Sequence, residues 1–294
     1  MPEAPLLDRE FLEKLERLTI RWQKSFAGLV GGHNVSRFAG AGQEFLDHRN
    51  FHHGDDLRAV NWRAYLRLEK LFLKMFQVEP RVPLRMLVDV SESMTAHGGL
   101  KFDYARRLAA ALCYVGMVRL DNIELHGFSS ALSQRIFCTG GRHRFPGVME
   151  SLKALSPGGV TDYLATVREF IGNYTHRGLV IIISDFLDDN GCERALQYLT
   201  DFGHELMLLQ VWADEDRTPP WIGELDLRDA ETGAALRLDF DDGARERYTR
   251  AFDEHCSVLQ TLAMRSGGRY AGVAASQSLE SVIFGDLIRV RGIA

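Results

Sequence analysis

The sequence predicts an α/β fold: a doubly wound, mostly parallel β-sheet with a helical, loop-rich N-terminal extension. From residue 82 onward, apolar runs typical of buried strands alternate with amphipathic segments typical of helices. The run Leu179–Ile183 is continuous and largely β-branched, as in strands covered on both faces. The chain has 294 residues, of which 46% are hydrophobic, so it can bury a substantial core.

The N-terminal extension is predicted to cover residues 1–81. Apolar side chains recur at helical spacing over residues 8–30 and predict an amphipathic helix there. Glycines are frequent between residues 31 and 62, and they favour loops. We therefore expect one helix followed by an irregular segment before the sheet begins.

The predicted sheet and its helices occupy residues 82–294. Strands are expected at Leu84–Val90, Ile123–Phe128, Leu179–Ile183, Leu206–Trp212 and Arg269–Val273. Helices are expected at Lys101–Leu120, Phe145–Leu155, Asp162–Tyr174, Glu193–Phe202, 243–266 and Leu279–Val290. The stretch near 223–240 breaks the alternation and predicts an inserted β-hairpin with its turn at Glu231-Thr-Gly233.

Composition and charge argue against several classes of protein. The formal net charge of −5 gives no indication of nucleic-acid binding. The cysteines lack CxxC spacing and predict neither a zinc site nor a disulfide framework. The N-terminus lacks the features of a signal peptide, and the strongest apolar run is far shorter than the roughly 20 residues that span a bilayer. We expect a cytoplasmic protein without a membrane span.

Polar side chains gather where predicted strands end. Asp89, Ser91 and Ser93 come at the carboxyl end of the first strand of the sheet. Thr161 follows a pair of glycines and opens a helix, and Asp185 follows the most hydrophobic strand. Ligands of doubly wound sheets bind at the carboxyl edge, so we expect these side chains to form one site.

The residue types at this edge suit a hard divalent cation. Mg²⁺ prefers about six oxygen ligands and keeps several waters. Hydroxyl ligands leave such an ion under-neutralised, so it still attracts a carboxylate from elsewhere. Singly, these residues also fit ordinary structural roles, because Asp and Ser form turns and Thr161 can cap a helix. Their combination predicts a metal site for Mg²⁺, with Mn²⁺ or Ca²⁺ as alternatives.

The motif resembles a known family. Asp89-Val-Ser91-Glu-Ser93 is similar to the metal-ion-dependent adhesion site of von Willebrand factor A domains, which have a Rossmann-type fold. The resemblance implies that Ser91, Ser93 and Thr161 bind the ion directly. It also implies that Asp89 and Asp185 hold the waters of the ion.

A second resemblance lies in the N-terminal extension. The segments that carry it are Gly40-Ala-Gly42-Gln-Glu44-Phe45, Arg49, Gly54-Asp55-Asp56-x-Arg58 and Asn61-Trp62-Arg63. They resemble the domain-of-unknown-function 58 family, in which this stretch precedes a von Willebrand factor A-like domain. Members of that family are often found beside MoxR-type AAA+ ATPases. The resemblance implies a metal-dependent adaptor or co-chaperone whose partner is such an ATPase or its client.

The function that we predict is protein binding rather than catalysis. A divalent ion at the edge of the sheet would accept an aspartate or glutamate from a partner protein. In the extension, Asp55, Asp56, Arg58 and Arg63 are expected to form either a salt-bridge network or a docking surface. Trp62 is expected to be a core residue.

An enzymatic alternative is a serine hydrolase. Gly127-Phe-Ser129-Ser-Ala131 resembles a degraded nucleophile elbow after a strand. In this hypothesis Ser129 is the nucleophile, Asp185 orients the base and His204 is the base. The final glycine of the elbow is missing, and no oxyanion-hole stretch precedes it, so binding remains the preferred prediction.

Overall fold

The protein is described from a computed structural model. The described residues are 6–21, 37–39, 44–52, 55, 57, 60–77, 83–119, 121–139, 141–188 and 191–293, with backbone only at 37–39, 44–47 and 74–77. The chain divides into a larger unit, Met1–Lys24 with Pro83–Ala294, and a smaller unit, Ser25–Val82. Within the described ranges, every helix is too short or too polar to cross a membrane.

The helices and strands are numbered in chain order. The helices are α1 (Arg9–Leu15), α2 (Trp62–Leu68), α3 (Leu100–Val118), α4 (Phe145–Lys153), α5 (Tyr163–Asn173), α6 (Cys192–Asp201), α7 (Asp214–Arg217), α8 (Asp242–Arg265) and α9 (Leu279–Ser281), the last continued by a π-helical turn, Val282–Leu287. The strands are β1 (Arg37–Ala39), β2 (Glu44–Asn50), β3 (Phe72–Gln77), β4 (Leu84–Asp89), β5 (Ile123–Phe128), β6 (Ile136–Cys138), β7 (Leu179–Ser184), β8 (Glu205–Trp212), β9 (Gly223–Arg228), β10 (Ala235–Phe240) and β11 (Arg269–Ala274).

The larger unit is built on a mostly parallel sheet with the strand order β11-β8-β7-β4-β5-β6. Strand β4 pairs in parallel with β7 on one side and with β5 on the other. Only the short edge strand β6 runs antiparallel to its neighbour among the described strands of this sheet. The predicted α/β class with a central, mostly parallel sheet is confirmed.

Helices cover both faces of this sheet. Successive side chains of a strand point to opposite faces, and β4 illustrates the result. Met86 and Val88 pack in a hydrophobic cluster with α1, α3 and α4. Leu87 belongs to a second cluster with α5, α6 and α8. The central strands are therefore buried on both sides, and their carboxyl ends are held in a fixed arrangement.

The start of the chain is part of the larger unit. Helix α1 ends at Leu15, earlier than the predicted helix over 8–30, and residues 22–36 lie outside the described residues. After the helix the chain extends, and Ile20 forms an antiparallel bridge with Ile293. The spacing of two between the buried Leu18 and Ile20 suits an extended segment better than a helix.

A β-hairpin lies where the sequence predicts one. Strands β9 and β10 pair antiparallel, with Arg228 opposite Ala235 at the turn end. Gly233 in the turn has φ 71°, a left-handed conformation that glycine adopts without steric cost. Most side chains of both strands are exposed, so the strands of the hairpin are largely solvated.

The smaller unit contains an antiparallel sheet in the order β1-β3-β2 and helix α2. The prediction that Trp62 is a core residue is wrong, because this side chain is 53% exposed. Asn61 caps α2 and places Trp62 at the first helical position, where its indole contacts the ring of Tyr65 edge to face. No residue of this helix is buried, so its apolar side chains do not contribute to the core.

Asp55 forms an ion pair, but its partner is Arg49, which the predicted network did not include. Asp55 accepts a bidentate pair of hydrogen bonds from the Arg49 guanidinium, at 2.9 and 2.6 Å. Of the other predicted members, Asp56 and Arg58 lie outside the described residues, as does Gly54, and Arg63 is exposed on α2. The observed pair orders the chain after β2, because Asp55 also accepts a bond from the amide of His52.

Candidate metal centre

The predicted site lies at the carboxyl ends of two neighbouring parallel strands. Asp89 ends β4, and Asp185 directly follows Ser184 at the end of β7. Both aspartates are buried, with 0% and 2% of their surface exposed. Two carboxylates are therefore brought together in a place with little water, which is costly unless a cation compensates their charge.

Asp89 is held by short hydrogen bonds. Its Oδ1 accepts from the amide of Ser91 at 2.9 Å, and its Oδ2 accepts from the hydroxyl of Ser184 at 2.6 Å. Burial, together with the nearby carboxylate of Asp185, raises the pKa of Asp89 to about 7. The hydrogen bonds offset only part of this effect, so the buried negative charge is under-compensated.

The loop after β4 directs two hydroxyls to one place. The Oγ atoms of Ser91 and Ser93 lie 3.0 Å apart. Adjacent ligands of an octahedral Mg²⁺ with bonds of about 2.0–2.1 Å are separated by roughly 2.8–3.0 Å. The two hydroxyls are hydrogen-bonded to each other, and their spacing is also compatible with one edge of such an octahedron, so both oxygens can lie beside the cation that the sequence predicts.

Two backbone hydrogen bonds join the loop before Thr161 to the loop after β4, and they bring Thr161 to the same edge of the sheet. The amide of Gly158 donates to the carbonyl of Val90 at 2.7 Å, and the amide of Glu92 donates to the carbonyl of Gly159 at 2.9 Å. Gly159 has φ 87°, which strongly favours glycine at this position. The chain therefore passes close to Ser91 and Ser93 before α5 begins.

Thr161 is not the N-cap of α5. Asp162 caps this helix by accepting a hydrogen bond from the amide of Ala165 at 2.8 Å. The hydroxyl of Thr161 instead donates to Oε1 of Glu231 at 2.8 Å. The structural role considered for Thr161 is thus filled by its neighbour, and its hydroxyl faces other side chains.

A lysine that the sequence analysis did not single out neutralises Asp185. Nζ of Lys101, in the first turn of α3, lies 2.8 Å from Oδ2 of Asp185 and 3.2 Å from Oδ2 of Asp216. Burial alone would lower the pKa of Lys101, but the two carboxylates outweigh it and raise that pKa. Asp216 also lies 3.0 Å from Nε2 of His97. A charge network thus extends from the site to α7.

The chain leaves β7 through a strained residue. Phe186 has φ 54°, a left-handed conformation that is unusual for a bulky side chain, and it is fully buried. Its amide donates to the hydroxyl of Ser184 at 2.9 Å, and its carbonyl lies 2.9 Å from Nε2 of His255. These bonds keep the turn in place and fix the direction of Asp185.

Ser184 is the centre of the local hydrogen-bond network. Because its proton goes to Asp89, the hydroxyl of Tyr163 donates to it, at 2.6 Å. The ring of Tyr163 stacks on Phe186 with centroids 6.1 Å apart. The sequence analysis gave neither Ser184 nor Tyr163 a role, although both lie directly beside the predicted ligands.

The donor set is mostly neutral. Within the part of the chain that the structure describes, no cluster of three or more His, Cys, Asp or Glu side chains suits a metal. The candidate ligands are three hydroxyls and two aspartates, and Lys101 already offsets one of those aspartates. Such a set suits a hard cation that keeps water and takes a further carboxylate.

The alternative hydrolase triad is not assembled. His204 precedes β8, at the amino ends of the strands, and accepts a hydrogen bond from the amide of Gly178 at 3.3 Å. Ser129 and Asp185 lie at the carboxyl ends of β5 and β7. A strand of this length separates the two edges by roughly 20 Å, so His204 cannot serve as the base for Ser129.

Comparison with known proteins places the chain in a family. The family model described as "Protein of unknown function DUF58" matches residues 47–258, which is more than half of the chain. The chain belongs to this family. The resemblance to the domain-of-unknown-function 58 family is thereby confirmed, and the match includes all of the candidate ligands at the edge of the sheet.

The chain is also similar to individual proteins and solved structures. Uncharacterized protein Rv1480 of Mycobacterium tuberculosis is 25% identical over 264 residues, covering 87% of this chain and 82% of that protein. The conserved hypothetical protein BatB from Bacteroides thetaiotaomicron is 18% identical, with TM-score 0.43, covering 71% of this chain and 98% of the other. The von Willebrand factor type A structure from Catenulispora acidiphila is 10% identical, with TM-score 0.41, covering 76% and 44% of the two chains.

Proposed function

We propose that this protein is a metal-ion-dependent protein-binding module whose site is formed by Asp89, Ser91, Ser93, Thr161 and Asp185. The observation that carries the proposal is the meeting of two buried carboxylates with paired hydroxyls at one edge of the sheet. Mg²⁺ is the cation that suits these donors best. When bound, it would supply a positive charge that a carboxylate from another protein can coordinate.

The five residues of the proposed site have two different roles. Ser91, Ser93 and Thr161 offer neutral oxygens, which hold a cation without cancelling its charge. Asp89 and Asp185 would accept hydrogen bonds from waters of the cation, as the family resemblance implies. Because the direct donors are neutral, the site keeps a net attraction for a partner that presents aspartate or glutamate.

The partner that the family resemblance implies is a MoxR-type AAA+ ATPase or one of its clients. An adaptor of this kind acts by binding and needs no catalytic group of its own. Co-elution of the purified protein with such an ATPase, present with Mg²⁺ and lost with EDTA, tests this part of the proposal.

The metal site itself is tested by calorimetric titration of Mg²⁺ and Mn²⁺ into the wild type, Asp89→Asn and Asp185→Asn. The matched control is Asp103→Asn, which removes a half-exposed carboxylate from α3. We expect saturable binding in the wild type and the control, and none in the two site variants. Circular dichroism establishes that each variant is folded.

Two results would overturn the proposal. The first is the absence of saturable Mg²⁺ or Mn²⁺ binding in the folded wild type. The second is binding of unchanged affinity in both Asp89→Asn and Asp185→Asn, since the cation would then be held somewhere else on the protein.

A further inference from the structure

The tip of the β9–β10 hairpin reaches the candidate metal centre. Oε2 of Glu231 accepts a hydrogen bond from the amide of Thr161 at 2.8 Å, and its Oε1 accepts from the hydroxyl of Thr161, also at 2.8 Å. The two residues are 70 positions apart in the chain. A carboxylate of this chain is thus seated on one of the proposed ligands.

This contact is not a by-product of close packing. Along the hairpin, Leu227 and Leu236 are 39% and 60% exposed, so its strands are largely solvated. Glu231 is nevertheless partly buried where it meets Thr161. The polar contact with Thr161 therefore holds the tip against the sheet, and an extended apolar interface does not.

The turn is built to present this side chain. Oδ1 of Asp229 accepts from the amides of Glu231 and Thr232 at 3.1 and 2.6 Å, and from the hydroxyl of Thr232 at 2.6 Å. These bonds fix the backbone on either side of Glu231 before it contacts Thr161. A preordered turn loses less conformational entropy when it docks, so a single carboxylate is enough to seat it.

Helix capping does not explain the contact. Asp162 already caps α5, so the helix does not need Glu231. The hydroxyl of Thr161 has one proton, which it gives to Glu231, and its lone pairs stay available to a cation. The separation of 2.8 Å between the two oxygens is an ordinary hydrogen-bond distance, and it is also compatible with an edge of a Mg²⁺ octahedron, which is roughly 2.8–3.0 Å.

We propose that Glu231 is an internal carboxylate ligand of the candidate metal centre, which the hairpin closes from within the same chain. This assignment rests on the proposed function, because it gives Glu231 the place that a partner carboxylate would take. A partner that presents aspartate or glutamate then binds by displacing Glu231, and the hairpin at 223–240 is the element that must move. Partner binding and hairpin docking are mutually exclusive.

The experiment measures Mg²⁺ affinity and amide hydrogen exchange in the wild type, Glu231→Gln and Glu224→Gln. Glu224 is the matched control, because it is an exposed glutamate on the same hairpin. We expect Glu231→Gln to lower Mg²⁺ affinity about tenfold, as removal of a supporting ligand does, and Glu224→Gln to leave it unchanged. Mg²⁺ should slow exchange at the amides of Thr161 and Glu231 in the wild type and the control, but not in Glu231→Gln.

The outcomes separate this assignment from the proposed function. Equal Mg²⁺ affinity in the wild type and Glu231→Gln, with exchange at the hairpin tip insensitive to Mg²⁺, would overturn the assignment alone. Tighter Mg²⁺ binding in Glu231→Gln would also overturn it, because Glu231 would then oppose the cation. The absence of Mg²⁺ binding in all three folded proteins would overturn the proposed function and the assignment together.

Discussion

Lys101 places its ammonium 2.8 Å from Oδ2 of Asp185, with only 2% and 3% of the two side chains exposed. An ion pair buried this deeply depends on both partners, because either one alone would be an uncompensated charge in the interior. Lys101 therefore already supplies part of the positive charge that the edge of the sheet requires. It also lowers the demand of the site for a divalent cation.

Replacement of Lys101 tests this balance of charge. Lys101→Met should lower the free energy of unfolding without metal by roughly 3–5 kcal/mol, because Asp185 stays buried without a partner. Mg²⁺ should recover part of the loss, and Lys101→Met should bind it more tightly than the wild type does. Urea unfolding with and without Mg²⁺ measures both effects.

The control for this prediction is Arg237→Met, which removes an ion pair whose arginine is 86% exposed. Its effect should stay within about 1 kcal/mol. Adding Asp185→Asn to Lys101→Met should restore much of the lost stability, since the uncompensated charge of Asp185 is then removed. If Lys101→Met destabilises the protein no more than Arg237→Met does, the buried pair does not have the role described.

The pKa of Asp89 predicts a pH dependence of stability. Because burial raises this pKa from 3.8 to about 7, the folded protein keeps a proton that the unfolded chain has already lost at intermediate pH. The contribution of Asp89 to stability is therefore fully present below its ordinary pKa and is lost as the pH rises toward 7. Mg²⁺ binding should strengthen over the same range, because the cation favours the charged carboxylate.

Thermal unfolding of the wild type and Asp89→Asn across this pH range measures the effect. The stability difference between the two proteins should change with pH, and the same comparison with Asp103→Asn should give a nearly constant difference. Parallel profiles for the wild type and Asp89→Asn would contradict the prediction, since Asp89 would then titrate alike in the folded and unfolded states.

The left-handed conformation of Phe186 predicts an unusual order of substitutions. Phe186→Ala should cost roughly 3–5 kcal/mol, because it removes a fully buried ring. Phe186→Gly should cost about 1 kcal/mol less than Phe186→Ala, because glycine adopts φ 54° without strain. At Phe170, buried in helix α5, glycine should instead be worse than alanine by about 1 kcal/mol. The same order at both positions would show that strain at Phe186 is unimportant.

The Arg49–Asp55 pair predicts a local effect in the smaller unit. The guanidinium of Arg49 and the amide of His52 hold the pKa of Asp55 below its ordinary value. Asp55→Ala should speed hydrogen exchange at the His52 amide, which loses its acceptor, and Lys70→Ala should not. In the wild type this protection should be present above the ordinary pKa of an aspartate and should disappear as the pH falls through the lowered value. Unchanged exchange in Asp55→Ala would exclude an ordering role for the pair.

Much of the fold was predictable because it depends on local pattern. The strand at Leu179–Ser184 is buried on both faces and therefore reads as a continuous apolar run. Asp89 and Asp185 could be placed at one edge because parallel strands end together. The end of α1 at Leu15 was not predictable in the same way, since the pairing of Ile20 with Ile293 depends on the far end of the chain.

The parts of the site that the sequence did not reveal come from contacts between distant segments. Lys101 lies 84 positions from Asp185, and the helix pattern around it does not indicate that its ammonium points into the site. Glu231 was visible only as a turn residue, because the direction of the hairpin depends on packing outside it. Ser129 and His204 follow each other along the chain in the order that a hydrolase needs. Only the three-dimensional structure shows that they lie at opposite edges of the sheet.

Because Glu231 and Thr161 belong to one chain, a partner carboxylate must exceed a minimum affinity before it can displace Glu231. A ligand on a short tether meets its site at an effective concentration in the millimolar range, whatever the dilution of the protein. A free carboxylate with a similarly weak affinity for the site would rarely displace Glu231. A partner must therefore add contacts of its own around the metal centre, so selectivity would come from the surrounding surface and the acidic side chain would serve only as the anchor.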